Sequence, residues 1–173
     1  SRVYGAELNL GYFRDDWNIQ FSWVQQRLEY DNPQLVLGDP NGDPADNPIF
    51  SSTYVRTPES LALLRFTHNG DWFDSYVTAK ATGPMNVPRI SSDPATGDLI
   101  GNKMERSPWF FNIDVGISRK FEMTDGDLTV SVGVKNLFDE FQNDLETGVF
   151  RDSDYVYGPA FSRTYYAGLR YDF

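Results

Sequence analysis

The residues best suited to contact a ligand lie in an acidic and aromatic segment near residue 150. Tyrosine and arginine are common at binding hot spots. We predict substrate contacts in this segment at Arg151, Asp152, Asp154, Tyr155 and Tyr157. The alternative interpretation is a loop that is stabilised by its own charges, including those of Asp144 and Glu146, and by the Gly158-Pro159 pair.

No grouping of residues predicts catalysis or a metal centre. The chain has no cysteine and a single histidine, His68, so neither a thiolate site nor a histidine pair can be built. Residues 39–46 begin like a calcium loop, with oxygen-bearing side chains at Asp39, Asn41, Asp43 and Asp46. However, Pro44 stands where such a loop needs glycine, and Phe50 stands where it needs glutamate. We therefore predict no enzyme activity, no cofactor and no metal, and we interpret residues 39–46 as a solvated acidic turn.

Alternating hydrophobicity predicts seven β-strands and no helix. In the last of them an apolar set alternates with polar or small residues, and this set is Tyr165, Ala167, Leu169, Tyr171 and Phe173. The seven strands are predicted at about residues 2–13, 17–30, 55–68, 72–82, 109–118, 128–135 and 161–173. At about 3.3 Å per residue, a strand of this length can cross a bilayer at the usual tilt.

The predicted connections alternate between short and long. Short turns fall at residues 14–16, 69–70 and 125–126, and long loops span about residues 31–54, 84–107 and 139–160. Loops longer than about 12–15 residues are uncommon in compact domains. In outer-membrane barrels, by contrast, short turns face the periplasm and long loops face outside. The alternation therefore predicts a transmembrane, antiparallel, up-and-down β-barrel.

The composition agrees with this fold class. Aromatic residues make up 16% of the 173 residues, which suits interfacial aromatic belts, and Trp17, Trp72 and Trp109 fall near strand ends. No apolar run approaches the roughly 18 residues of a membrane-spanning helix, which excludes a helical membrane protein. The formal net charge of −10 argues against nucleic-acid binding, because that needs a basic surface.

One face of each predicted strand would meet lipid and the other a polar lumen. The charged residues predicted to face the lumen are Glu7, Arg65, Asp114, Lys135 and Arg170. A solvated lumen wall explains them most simply, and contact with a plug or a substrate path is the alternative. An odd number of strands would leave unpaired edges in lipid, at a cost of several kcal/mol per open backbone group. We therefore expect residues 1–173 to be one portion of a larger barrel.

Three segments resemble the end of a TonB-dependent outer-membrane receptor. They are SPWFFNIDVGISRKF at 107–121, VSVGVKNLFDEFQND at 130–144 and RDSDYVYGPAFSRTYYAGLRYDF at 151–173. The VKNLFD element at 134–139, followed by RTYYAGLRYDF, is the most specific part of the resemblance. GPMNVPRI at 83–90 and RDSDYVYGP at 151–159 resemble the Bacteroidetes branch of this family in particular. The first fifty residues match by pattern alone.

The resemblance implies that the chain supplies the last seven strands, the C-terminal portion, of a barrel of about 22 strands. Such a receptor sits in the bacterial outer membrane, where it contacts lipid, lipopolysaccharide, its remaining barrel strands and a plug domain that is not in this chain. It takes up a metal chelate such as a ferric siderophore, haem or cobalamin, through the action of the TonB–ExbB–ExbD complex on the plug. It performs no covalent chemistry. Whether a surface lipoprotein covers the external loops stays open.

A soluble all-β carbohydrate- or ligand-binding domain, with its aromatic residues used for stacking, is the alternative from another class. Detergent dependence separates the two, since receptor strands need detergent or barrel partners, whereas a soluble domain is monodisperse in plain buffer. An outer-membrane enzyme is disfavoured by the lone His68.

Overall fold

All the regular secondary structure in the described part of the chain is β-strand. The computed structural model describes residues 1–42, 47–93, 95–159 and 161–173. In these residues there are ten strands and no helix, which confirms the predicted all-β, antiparallel class. The strands are β1 (Arg2–Arg14), β2 (Trp17–Leu37), β3 (Ile49–Thr53), β4 (Ser60–Asn69), β5 (Asp74–Thr82), β6 (Asn86–Ser92), β7 (Leu99–Arg106), β8 (Phe110–Met123), β9 (Gly126–Lys135) and β10 (Thr164–Asp172). No described segment forms a helix long and apolar enough to cross a membrane.

Seven of these strands form one continuous antiparallel path. Its order is β1-β2-β4-β5-β8-β9-β10, and the strands run alternately up and down. These are the seven strands predicted from alternation, and their bounds differ from the prediction chiefly at the ends. Within the described residues, β1 and β10 each pair on one side only, so the sheet has two open edges.

The connections contain more structure than the sequence predicts. β2 was expected to end near Tyr30 but continues to Leu37, because its far half pairs with β3 inside the predicted loop 31–54. Similarly, β6 and β7 form a hairpin of their own inside the predicted loop 84–107. Proline, glycine and aspartate interrupt the alternation in both segments, so these pairings leave no period-two signal. The predicted Asn69-Gly70 turn is a longer connection that reaches Phe73, whose carbonyl accepts a 3.2 Å bond from the Gly70 amide.

Most of the apolar residues of the seven strands lie on one face of the sheet, although Leu61 and Leu63 of β4 lie on the other. The strand register aligns one residue from each of the seven strands in a single row: Tyr12, Ile19, Phe66, Val77, Val115, Val134 and Tyr165. Aromatic residues lie at both ends of this face. At the edge with the short turns the Trp17 ring lies 4.8 Å from that of Phe66, and at the opposite edge the Trp109 ring lies 6.5 Å from that of Phe111.

This apolar face is not buried within the described part of the chain. The buried hydrophobic side chains there are Met85, Val87 and Tyr155, and all three belong to the long connections. The accessible surface is 11612 Å², whereas a compact monomer of 19.8 kDa is expected to expose about 8,600 Å². The described structure therefore exposes about 3,000 Å² more surface than a compact monomer of this mass, and the uncovered apolar face contributes to it.

Candidate functional site

The long connections gather at the edge of the sheet opposite to the short turns. There the connection between β9 and β10 packs against the β6–β7 hairpin. We call the charged and aromatic side chains at this junction the loop cluster: Arg89, Lys103, Glu105, Asp144, Glu146, Asp152, Tyr155 and Tyr157.

Tyr155 lies at the centre of the loop cluster and is only 2% exposed. Its hydroxyl lies 2.8 Å from Oε2 of Glu105 and 2.8 Å from Oδ2 of Asp144. A phenol has one proton, so it donates to one carboxylate at a time. Burial raises the pKa of Tyr155 above its usual value, and the two carboxylates raise it further. The residue is therefore a neutral donor that joins the hairpin to the loop.

Arg89 lies beside Tyr155 and pairs with two carboxylates of the loop cluster, those of Glu105 and Glu146. Its guanidinium carbon lies 4.5 Å from the centre of the Tyr155 ring, within cation–π range. Nη1 donates to Oε1 of Glu105 at 3.0 Å, and Nε donates to Oε1 of Glu146 at 2.8 Å. Burial opposes the charge of Arg89, but the bonds to Glu146 and Glu105 outweigh it and raise its pKa. Lys103 is the largest cause that lowers the pKa of Glu105, and Tyr155 and Arg89 add to it.

Backbone groups complete the attachment of the loop. The Asp152 amide donates to Oε2 of Glu146 at 2.8 Å, and this bond is the main reason why the pKa of Glu146 is lowered. The Ile90 amide donates to Oδ2 of Asp152 at 2.8 Å. Burial opposes ionisation of Asp144, but the hydroxyls of Tyr157, at 2.6 Å, and Tyr155 outweigh it and lower the pKa of Asp144. The pKa of Tyr157 is in turn raised, by burial first and by Asp144 second.

A buried asparagine, Asn136, closes the base of this loop. It is 3% exposed, and its side-chain amide donates to the carbonyls of Glu140, at 2.9 Å, and Phe161, at 3.0 Å. Its backbone amide donates to Oδ1 of Asp114 at 2.8 Å. With the bonds that its side-chain oxygen accepts from the Glu140 amide and its carbonyl from the Asp139 amide, it makes five hydrogen bonds, which join the two ends of the loop to β8. Asn136 belongs to the VKNLFD element at 134–139, but nothing in its sequence surroundings predicts this role.

The five predicted contact residues divide into two groups. Asp152, Tyr155 and Tyr157 belong to the internal bonding of the loop cluster, as the stabilised-loop alternative describes. The side chains of Arg151 and Asp154 are exposed: Arg151 bonds to the Gly148 carbonyl within the loop at 3.0 Å, and Asp154 accepts from Arg56 through its backbone carbonyl at 2.8 Å. Arg151 and Asp154 are therefore the members of the set that face solution.

A polar cleft of about 400 Å³ opens at the same edge and shares Asn86 and Arg106 with the hairpin. Arg106 closes one side through two bonds to Glu59, at 2.8 and 2.6 Å. Tyr54 lines another side and stacks on Tyr30 with ring centres 4.3 Å apart. No sequence motif marks this cleft, because its lining comes from four separate segments.

All five charged residues predicted for the lumen lie on the face of the sheet opposite to the apolar one. Register places Arg65 beside Thr78, and Thr78 beside Asp114, in one polar row. Glu7 accepts from Asn9 at 2.6 Å, and Arg170 pairs with Asp172 at 2.8 Å. Lys135 lies across from Thr164. The two faces of the sheet therefore differ in polarity as predicted.

Two tyrosines on this polar face lie over two glycines. Register aligns Tyr76, Gly116, Gly133 and Tyr166 in one row across four strands. The tyrosine hydroxyls meet at 2.8 Å. A Cβ atom on Gly116 would lie 2.4 Å from the Tyr76 ring, so the rings occupy the space that side chains would otherwise fill.

Acid should release the loop from the β6–β7 hairpin. Because docking lowers the pKa values of Glu105, Asp144 and Glu146, their stabilisation is present above the ordinary carboxyl pKa of about 4 and is lost as the pH falls through the lowered values. We expect the hydrogen-exchange protection factor of the Asp152 amide to drop as the pH falls below about 4, while the amides of β9 keep theirs. Unchanged protection of Asp152 at about pH 2 would contradict this assignment.

The remaining candidates contribute little chemistry. His68 lies at the edge with the short turns, where its ring is 4.1 Å from that of Trp17. In the described residues no group of three His, Asp or Glu side chains is arranged to hold a metal ion. In the calcium-like segment the backbone amide of Asn41 donates to Oδ1 of Asp39 at 2.9 Å, and Asp43 and Asp46 lie outside the described residues.

Comparisons with protein-family models, curated proteins and solved structures find no match to this chain.

Proposed function

We propose that these seven strands are part of the β-barrel of a TonB-dependent receptor that takes up a metal chelate across the bacterial outer membrane. One observation carries the proposal: a single apolar face, in register over seven strands, has no cover in the described chain and ends in aromatic residues at both edges. Acyl chains would cover this face. The resemblance of residues 107–121, 130–144 and 151–173 supports the choice of family.

The height of the apolar face supports a bilayer as its cover. Phe111 and Phe121 mark its two ends on β8 and are about 33 Å apart along the strand. At the tilt of about 35–45° that barrel strands adopt, this length spans about 25 Å across the membrane. The apolar band of outer-membrane barrels has the same height, with aromatic girdles at its two limits.

The open edges and the polar face support a larger closed barrel. In lipid, the unpaired groups of β1 and β10 must be satisfied by further strands, because each open group costs several kcal/mol there. The polar face, with Arg65, Asp114 and Lys135, would then line an aqueous interior and meet the plug. The three long connections would form external loops. Ligand contact would fall to the exposed side chains of Arg151 and Asp154.

Single nitroxide labels test the membrane assignment, and residues 1–173 contain no cysteine that would compete for the label. Labels would be placed at Val130 and Val132 on the apolar face and at Thr129 and Ser131 on the polar face, in the protein reconstituted in liposomes. We expect the valine positions to be accessible to oxygen and shielded from a water-soluble nickel chelate, and the polar positions to show the reverse. Equal nickel access at all four sites, in a protein that is monodisperse without detergent, would favour the soluble ligand-binding alternative.

The substrate class needs a separate measurement. Ferric siderophore, haem and cobalamin would be offered to cells with and without the full-length receptor. Uptake of one chelate that depends on the receptor and on the proton-motive force is the expected result, and receptor-independent uptake of all three would contradict it.

A further inference from the structure

An arginine on the apolar face, Arg119, is placed unlike the other cations of that face. It lies on β8 directly across from Val130, between Ile117 and Phe121 on the same side of the strand. Its guanidinium carbon is 4.9 Å from the centre of the Phe121 ring and 5.4 Å from that of Trp72. Both distances are within cation–π range. The two rings therefore hold the charged group at the end of the face next to the short turns.

Arg119 forms no ion pair with any carboxylate of the described residues. Elsewhere on the same face Arg14 pairs with Asp15 at 3.5 Å, and Arg27 pairs with Glu29 at 2.7 Å. Aromatic rings stabilise a cation but accept few of its five N–H donors. The guanidinium of Arg119 thus lies on an apolar surface without an anionic partner. This is so although the chain carries a net charge of −10 and has many carboxylates elsewhere.

An apolar groove adjoins the guanidinium. It has a volume of about 530 Å³, and its lining includes Trp72, Phe73, Ile117, Phe121, Val130 and Val132. The Trp72 side chain, at the rim, is 72% exposed. The groove runs from the aromatic end of the face toward its aliphatic middle. The groove therefore suits a hydrocarbon chain that is joined to an anionic group beside Arg119.

We propose that Arg119 binds the phosphodiester of a glycerophospholipid, and that the adjoining groove receives one of its acyl chains. Guanidinium and phosphate match in charge and in paired hydrogen-bond geometry. Arg119 lies about 7 Å along β8 from the aromatic limit at Phe121, so its side chain reaches the headgroup level. The proposal rests on the proposed membrane function, because the lipid must be present at this face.

Native mass spectrometry of the full-length protein in a neutral detergent tests the site. The probes are dioleoylphosphatidylglycerol and dioleoylglycerol, which share their acyl chains and differ in the phosphate. We expect the wild type to retain the phospholipid preferentially, and Arg119→Gln to weaken its apparent affinity about tenfold. The matched control is Lys120→Gln, which removes the same charge from the opposite face of the strand, where Lys120 pairs with Asp127 at 2.6 Å. It should bind like the wild type.

The outcomes separate this inference from the proposed function. Undiminished phospholipid binding by Arg119→Gln, with wild-type folding confirmed by heat-modified gel mobility, would overturn the phosphate site. Equal binding of the two probes by the wild type would do the same, because the groove would then select hydrocarbon alone. A wild type that binds neither probe and stays monodisperse without detergent would instead overturn the membrane assignment.

Discussion

Replacing Val132 by lysine should lower the free energy of unfolding by about 2–4 kcal/mol for the protein folded in phospholipid vesicles. Val132 lies opposite Ile117 and Ala167, near the middle of the apolar face. Under the proposed membrane function, a lysine there would place an ammonium group among acyl chains, distant from both aromatic ends of the face. Urea titration followed by tryptophan fluorescence measures the change, since the chain has 4 tryptophans.

Ser131→Lys is the matched control on the same strand. Ser131 points to the polar face, where it lies opposite Ser118 and Gly168 and donates weakly to the Gly168 carbonyl at 3.3 Å. A lysine there extends over polar neighbours, so the cost should stay below about 1 kcal/mol. Equal losses at the two positions would show that the two faces meet the same environment.

The seven long strands were predictable because each strand carries an apolar face and a polar face. A strand between an apolar and a polar medium must alternate with period two, and the rows that contain Val115 and Asp114 show this alternation on adjacent residues. The ends of the strands were less accurate. Pro58 and Trp72 were assigned to strands, but they precede β4 and β5. Near the ends of a strand, the presence of a backbone partner decides where the strand begins, and side-chain polarity does not report it.

The loop cluster was predictable in composition but not in geometry. Tyr155 and Asp152 stood out as aromatic and acidic residues, yet their partners lie far away in sequence: the bond from Tyr155 to Glu105 spans 50 residues. Arg89 joins Glu146 across 57 residues. Such pairings follow from how two connections dock, which alternation does not encode. Arg119 was missed for another reason: the predicted strand ends at residue 118, whereas β8 continues to Met123 and places Arg119 on the apolar face.

Replacing Gly133 by alanine should destabilise the protein by about 1–3 kcal/mol through overpacking. A Cβ atom there would lie 2.4 Å from the Tyr166 hydroxyl and 2.5 Å from the Val115 carbonyl oxygen. The hydroxyl can withdraw only by giving up its 2.8 Å bond to Tyr76, and the carbonyl is fixed in the β8–β9 pairing. The loss is measured by the same urea titration.

Gly168→Ala provides the comparison. At Gly168 the single close contact of an added Cβ is the Ser131 hydroxyl at 2.8 Å, which can rotate away, so the cost should be under about 1 kcal/mol. In the double variant Gly133→Ala, Tyr166→Leu, the clash with the ring is removed while that with Val115 stays. Its total loss should therefore fall short of the sum of the two single losses by about 1 kcal/mol. Strictly additive losses would mean that the ring of Tyr166 does not lie over Gly133. The cost of Gly133→Ala would then come from the backbone contact with Val115 alone.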